Sequence, residues 1–333
     1  MQMRVVVWGP GYFGRKWMAE VKRNPELELV GVISRSPTRG DELAQELDLP
    51  SVTVFATIED AAAAGVEAVI VALPQQLHHE ATLASLAAGL HVLLEKPMAI
   101  DIDEARSIVK AQAAHPDQVV MVTQNFRWRP HVLAMRKAIL GGTIGPLSHV
   151  GLSCRQAIKR GTTDGWREKM ADPYLGDFAI HHFDLLRFIT GLEFEEAFAT
   201  SFHPPGSWLD GNGAAAALLK MTGGVVVSYH GTMVAPGSLT PQEGLITVTG
   251  ESGMLQLDGK YQVILSGVGD PVPLSQPPIP EGELAYGLAQ FVEAIHSSRE
   301  PETSVIDNFK SFAALMAVVD SASMGQPALV PTE

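Results

Sequence analysis

Over residues 1–124, short runs of consecutive apolar residues alternate with longer segments whose apolar positions recur every three or four residues. The runs "RVVVWG", "LELVGVIS", "VTVF", "EAVIVAL", "HVLLE" and "QVVMVT" predict strands. The segments between them predict helices over Tyr12–Lys22, Arg39–Leu47, around Ala61, over Leu77–Ala88 and over Asp101–Ala114. Strands that are apolar on both sides need helices on both faces, so this half reads as a doubly wound parallel sheet.

Beyond Asn125 the pattern changes. A helix over His131–Leu140 is stopped by Gly141-Gly142, then a strand is predicted over Leu147–Arg155, a polar loop over Lys159–Asp172 and a helix over Gly176–Thr190 ended by Gly191. From Glu195 to Ser266, alternating runs such as "AAAALLKM", "VVVSYHG" and "GLITVTG" follow one another through Gly-rich turns with no helix between, which predicts an antiparallel sheet. A Pro-rich connector, Asp270–Pro280, leads to two last helices, Glu283–Ser298 and Val305–Met324. The expected fold class is an α/β Rossmann domain over 1–124 followed by an α+β domain over 125–333 with a large open, mainly antiparallel sheet. The C-terminal helices are free to pack back on the first domain.

The chain has 333 residues, enough for two domains, with 46% hydrophobic and 18% charged residues, an ordinary globular balance. Its formal charge of −13, from 24 basic and 37 acidic residues, argues against a nucleic acid or an anionic membrane as partner. A lone cysteine, Cys154, cannot close an internal disulfide, and Met1–Pro10 lacks a signal-peptide pattern, so a cytoplasmic location is expected. The longest apolar runs fall far short of the ~20 residues of a membrane helix.

The first predicted strand runs into "GPGYFG", where Gly9, Gly11 and Gly14 match G-x-G-x-x-G at the start of a helix. In that context the pattern predicts a dinucleotide site, the pyrophosphate meeting free N–H groups at the helix start. The second strand ends in "VISRSPTRG": where an NAD-preferring site carries a carboxylate, this chain has Ser34 and Arg35, with Arg39 following. A hydroxyl and two guanidinium groups suit a 2′-phosphate, so NADP(H) is favoured over NAD(H); the alternative is that both arginines are solvated charges.

"HVLLEKP" ends a buried strand with Glu95 and Lys96, and the carboxyl end of a strand in an open parallel sheet is where ligands sit. In "GDFAIHHFDLLRF", Asp177, His181 and Asp184 fall at helical spacing on one face. Either residue type has a structural alternative, a helix cap for Asp177 and a satisfied core histidine for His181. The adjacent pairs His78-His79 and His181-His182 bring no further ligand set, so no metal is expected.

The glycine loop, "EKP" after the fifth strand and D-x-x-x-H-x-x-D on a later helix together resemble the glucose-fructose oxidoreductase and inositol dehydrogenase family (Gfo/Idh/MocA), over nearly the whole chain. The resemblance implies Lys96, Asp177 and His181 as catalytic residues and a cis bond between Lys96 and Pro97. It implies that "LPQQLHHE" packs on the cofactor, that "TQNFRWRP" joins the domains, and that Trp166 and Arg167 approach the nicotinamide as in the 1,5-anhydrofructose reductase branch. On this reading Tyr12, Phe13, Leu73, Pro74, His78, Glu95, Lys96, Asn125, Trp166, Arg167 and Tyr286 join Gly9, Gly11, Gly14, Ser34, Arg35 and Arg39 in binding the cofactor. Lys96, Arg127, Trp166, Asp177 and His181 contact substrate. One departure is "DPYLGD" where the family usually carries three glycines.

The implied activity is hydride transfer between nicotinamide and a carbinol or ketone carbon of a sugar, polyol or derivative. A cofactor-retaining lyase or glycosidase would use the same residues, and a non-enzymatic dinucleotide sensor would not need all three. A homodimer or homotetramer through the C-terminal sheet is the implied assembly.

Overall fold

The computed structural model describes residues 2–36, 38–49, 51–161, 165, 167–267, 269–279 and 282–332. The chain folds as two compact units, one of residues 1–125 with 280–309, the other of 126–279 with 310–333. Among the described residues no helix is long and apolar enough to cross a membrane.

The first unit alternates β1 (Met3–Trp8), α1 (Tyr12–Arg23), β2 (Leu27–Ile33), α2 (Arg39–Glu46), β3 (Thr53–Phe55), α3 (Ile58–Ala63), β4 (Ala68–Val71), α4 (His78–Ala87), β5 (His91–Leu94), α5 (Ile102–Ala114) and β6 (Val120–Val122). The six strands are all parallel in the order β3-β2-β1-β4-β5-β6. Ala68–Val71 and Val92–Leu94 have no exposed surface, which is why these strands are apolar without alternation. The order reverses between β1 and β4, and the crevice at the carboxyl ends of strands on either side of such a switch is the natural ligand site.

Local chemistry sets the element ends. Asp101 Oδ1 accepts from the N–H groups of Asp103 (3.0 Å) and Glu104 (2.8 Å), capping α5, and Thr57 Oγ1 accepts from Asp60 N (3.2 Å) to cap α3. Beyond β6 the chain leaves this unit; its C-terminal part returns to pair Met121 with Ser304, Val122 N donating to Thr303 O at 2.8 Å. That bridge covers part of an otherwise bare sheet edge.

The second unit contains α6 (Pro130–Leu140), β7 (Leu147–Arg155), α7 (Ile180–Thr190), β8 (Phe194–Phe202), β9 (Ala214–Met221), β10 (Val225–Thr232), β11 (Leu245–Gly250), β12 (Met254–Leu257), β13 (Val263–Ser266) and β14 (Val272–Pro273). The chain then adds α8 (Glu283–Ser297) in the first unit, α9 (Val305–Met324), and β15 (Ala328–Leu329) in the second. The nine strands run in the order β14-β13-β12-β11-β7-β10-β9-β8-β15. Every neighbouring pair is antiparallel except β7 with β10, so the sheet is mixed at its centre.

Residues along β9 and β10 alternate between buried and exposed, the signature of a sheet with one covered face. The cover is α7, buried at every position from Ile180 to Thr190. Phe183 meets Phe194 edge-on (5.9 Å between centroids) and Tyr229 at 5.0 Å. Gly191, at φ +69°, ends the helix in the left-handed region as its sequence position suggests.

The predicted helix from Gly176 is not a single α-helix. Tyr174–Phe178 form one π turn, with Ala179 N donating to Tyr174 O at 3.0 Å, before α7 begins. The wider turn accompanies the Tyr174 phenol reaching Tyr229 OH in the sheet at 2.7 Å. Gly231 makes the room, since a Cβ there would lie 1.6 Å from the Tyr174 hydroxyl oxygen.

Candidate active site

The loop from β1 to α1 uses each of its three glycines differently. Gly9 has φ +94°, and a Cβ on it would lie 2.7 Å from Ala72 O. A Cβ on Gly14 would lie 2.1 Å from Gly9 O, so that position fixes how closely α1 approaches the loop. Gly11 faces open space instead, with nothing within 4 Å of a Cβ position. It is also the cap of α1, and having no side chain it leaves the first N–H groups of the helix to a ligand.

These residues border a cavity of about 840 Å³ whose walls include Gly9, Gly11, Ser34, Arg35, Leu73 and Pro74. That volume lies within the range of small-molecule and cofactor clefts, and the open side of Gly11 lets a pyrophosphate approach the backbone. The donor set therefore fits a dinucleotide. At the end of β2, Ser34 Oγ accepts from Ser36 N (3.2 Å), Ser36 Oγ and Thr38 Oγ1 lie 3.1 Å apart, and no carboxylate stands at Ser34–Ser36. Tyr12 and Phe13 are exposed in the first turn of α1, where Lys16 Nζ lies 4.4 Å from the Tyr12 ring centroid. Tyr286 is in the first turn of α8, and the side chain of Arg39 lies outside the described residues.

At the end of β5, Lys96 is anchored through its backbone. Its N–H faces Glu95 Oε2 (3.2 Å) and Thr123 Oγ1 (3.3 Å). Glu95 is itself held by the Trp17 indole N–H, which donates to Oε1 at 2.8 Å from α1. Burial pushes the Glu95 carboxyl above its usual range, opposed by the Trp17 bond, the charge of Lys96 and the Thr123 hydroxyl. The Lys96–Pro97 peptide is cis.

His78 is buried rather than turned to the cavity. Its Nδ1 lies 2.7 Å from Pro97 O and its Nε2 2.9 Å from Leu73 O, clipping the loop after β4 to the loop after β5. Burial lowers its pKa, the two carbonyls oppose that, and Lys96 adds to it. Within the first unit His78 thus links Leu73 to Pro97, the residue after Lys96, and Glu95 holds the Lys96 backbone.

In the second unit Asp177 lies in the π turn, and Arg167, from the 3₁₀ turn Arg167–Lys169, donates to its Oδ2 from Nε at 2.8 Å. His181, one turn on, stacks flat on the Phe126 ring, 4.2 Å between centroids and 13° between planes. Phe178 meets the same imidazole edge-on at 6.3 Å. Trp166 lies outside the described residues.

His182 turns the other way, into the core. Its Nε2 lies 2.8 Å from Gln242 O and its Nδ1 2.9 Å from Tyr229 OH. A carbonyl only accepts, so the neutral ring carries its proton on Nε2, and Nδ1 accepts from Tyr229, whose oxygen accepts from Tyr174. Burial drives the His182 pKa down to about 4. The two adjacent histidines therefore have different partners, and among the described residues no group of three or more His, Cys, Asp or Glu could hold a metal.

Arg127 is buried, with Nε 2.7 Å from Asp184 Oδ2 and Nη2 2.5 Å from Oδ1, and Ser311 Oγ also donates to Oδ1 at 2.8 Å. The guanidinium expected to touch substrate is engaged in a core ion pair, as is the last carboxylate of the D-x-x-x-H-x-x-D pattern. Removing one partner of such a pair costs about 3–5 kcal/mol. Sequence reasoning missed Trp17, Arg129 and Glu243. Trp17 reads as an ordinary apolar position on α1, and only the position of Pro130 at the start of α6 hints that Arg129 is fixed.

Comparison with known proteins agrees with this fold. Residues 3–124 match the model of the oxidoreductase family with the NAD-binding Rossmann fold, and residues 132–256 match the GFO/IDH/MocA C-terminal domain. The chain belongs to the Gfo/Idh/MocA family of oxidoreductases. A Gfo/Idh/MocA relative, 1,5-anhydro-D-fructose reductase of Ensifer adhaerens, is 29% identical over 97% of each chain. An oxidoreductase of Agrobacterium radiobacter, solved with NAD+, L-tartaric acid and magnesium, superposes with a TM-score of 0.89 at 20% identity, covering 99% of both chains. Levoglucosan dehydrogenase in complex with NADH gives 0.86 at 20% identity, covering 100% of both. These two structures share the Gfo/Idh/MocA fold with the chain.

Proposed function

We propose that the chain is an NAD(P)-dependent dehydrogenase or reductase that acts on a carbinol or ketone carbon of a sugar, polyol or derivative. The observation that carries this reading is Lys96, anchored at the carboxyl end of β5 by Glu95 and Thr123, in the same unit as a cavity with the donors of a dinucleotide site. The sugar-directed names of relatives such as the Ensifer adhaerens reductase support the substrate class.

Bound nicotinamide would supply the carbon that takes or gives the hydride. His181 accepts the hydroxyl proton in the oxidising direction and returns it in the reducing one, as the side chain whose ordinary pKa is nearest neutrality. Lys96 would donate to a substrate oxygen and offset the negative charge that develops there. Asp177, held by Arg167, orients the substrate and balances the local positive charge. Ser34 and Arg35, with no carboxylate beside them, support NADP(H) over NAD(H). The outward face of the large sheet, with exposed Phe198, Leu218 and Val226, supports assembly as a homo-oligomer.

A panel of aldoses, anhydro sugars, polyols and their ketones, followed by absorbance of the reduced cofactor, tests the reading. Net cofactor turnover with at least one such compound is expected. Transformation of a sugar with no net change in cofactor would point to transient oxidation instead, and no reaction with either cofactor across the panel would overturn the proposal.

A further inference from the structure

The support behind His181 contains charges that simple packing does not call for. Phe126 carries the His181 imidazole on one face, and the Arg129 guanidinium carbon lies over the ring 3.8 Å from its centroid. Two groups this near the same ring would collide on one side, so they occupy opposite faces. Arg129 Nη1 in turn lies 2.8 Å from Glu243 Oε1, and Nη2 donates to Gln242 Oε1 at 3.2 Å. His131 Nε2 approaches the same Glu243 oxygen at 2.5 Å. Glu243 has no exposed surface, yet its pKa is lowered to about 2, because His131 and Arg129 outweigh the burial that would raise it.

The turn that delivers Glu243 also grips the residue next to His181. Gly244 N donates to Pro241 O at 3.0 Å and Gly244 has φ +85°, which fixes the turn. Within it, Gln242 O receives the Nε2–H of His182. The outer torsion of His and Phe side chains is broad and leaves the ring plane free, so a plane is fixed only by what lies on the ring. Burying a carboxylate and a guanidinium to fill space is costlier than burying apolar groups of the same size. A flat cation on an aromatic face instead holds that face in one orientation.

We propose that Arg129 and Glu243 are positioning residues for His181, acting through the ring of Phe126. Glu243 fixes the guanidinium, the guanidinium fixes the Phe126 plane, and that plane fixes the imidazole. The inference rests on the reading of His181 as the proton-transfer group.

The test combines kinetics with proton NMR of the His181 ring, whose C–H signals are displaced upfield by the stacked phenyl group and assigned by their loss in His181→Ala. In Arg129→Met and Glu243→Gln these signals should move toward unstacked positions. Turnover should fall by about tenfold or more, the scale on which a misplaced catalytic group loses rate, while KM and the cofactor dissociation constant stay within about twofold. Phe126→Leu should do the same, and Phe126→Tyr, which keeps the ring, should restore both. If Arg129→Met does not fold, Phe126→Leu, which removes no charge, carries the test.

Unmoved His181 signals with unchanged turnover in folded Arg129→Met and Glu243→Gln would overturn the proposal, as would full turnover in Phe126→Leu. Turnover surviving in His181→Ala would remove the proton-transfer reading instead, and the NMR signals would still report whether Arg129 holds the stack.

Discussion

Arg167 grips Asp177 through two nitrogens, Nε at 2.8 Å and Nη2 at 2.5 Å, both on Oδ2. An acid singled out from helix spacing is thus oriented by a residue from a separate loop, and its ionised form is stabilised by a partly buried guanidinium.

Replacing Arg167 with Met should therefore damage catalysis without unfolding the chain. A charge-assisted bond of this kind is worth about 1.5–3 kcal/mol, so kcat/KM should fall by about tenfold or more. Arg167→Lys should recover only part of the loss, because an ammonium cannot reproduce the fork. Steady-state kinetics on a substrate from the panel would decide it; a variant as active as the parent would mean that the pair is incidental.

Lys96→Met should leave folding and cofactor affinity nearly intact while turnover falls by roughly 10² or more, the loss expected when a donor aimed at developing charge is removed. A loss of less than about threefold at saturating substrate would show that Lys96 is only a strand-end charge.

Fluorescence titration of the two cofactors should give the lower dissociation constant for NADP(H). Arg35→Ala should narrow the gap by about tenfold, the worth of a charge-assisted contact of about 1.5 kcal/mol. Tighter binding of NAD(H) by the unmodified protein would contradict the assignment made from Ser34 and Arg35.

Phe198, Leu218 and Val226 leave 49%, 57% and 41% of their surfaces exposed on one face of the large sheet. Sedimentation velocity should find a dimer or tetramer, and Leu218→Lys should shift it toward monomer. A monomer at micromolar concentration in the unmodified protein would remove the assembly.

Stability should fall as the medium is acidified, in two stages. His182, with a folded pKa of about 4 against an ordinary 6.5, stays neutral in the fold while the unfolded chain takes up a proton. Its contribution is fully present above pH 6.5 and is lost as pH falls toward 4, at most about 3 kcal/mol, and burial of His78 acts in the same direction. Glu243, lowered from 4.5 to about 2, contributes above pH 4.5 and loses that contribution as pH falls toward 2. Glu95 and Asp172, both raised by burial, work in the opposite sense. Urea unfolding at several pH values should show the first decline between pH 6.5 and 4, reduced in His182→Asn; a flat profile there would be inconsistent with a buried neutral ring.

The doubly wound sheet was legible because uninterrupted apolar strands and the glycine loop express one requirement, a sheet covered on both faces with a phosphate site at its edge. The large sheet was legible from period-two alternation, but its central parallel pair was not, since Val226 and His149 are paired across more than 70 intervening residues and nothing local encodes that register. Lys96, Asp177 and His181 stood out by type and spacing. Their supports did not: Trp17 looks like any core residue until its indole N–H meets Glu95, and Arg129 and Glu243 are brought together only by folding. Helical spacing also set Asp184 beside Asp177 and His181, whereas the π turn separates Asp177 from α7 and Asp184 is neutralised by Arg127.

The alternation along β10 gives one strand two employers. Val226, Ser228 and His230 look outward on the face proposed for a second subunit, while Tyr229, between the last two, looks inward and holds the ring of His182. A molecule resting on the outer face would therefore touch residues joined by single peptide bonds to the one that steadies the neighbour of His181. Assembly and chemistry would be tuned on the same string, and a sequence change that improves one has to be heard by the other.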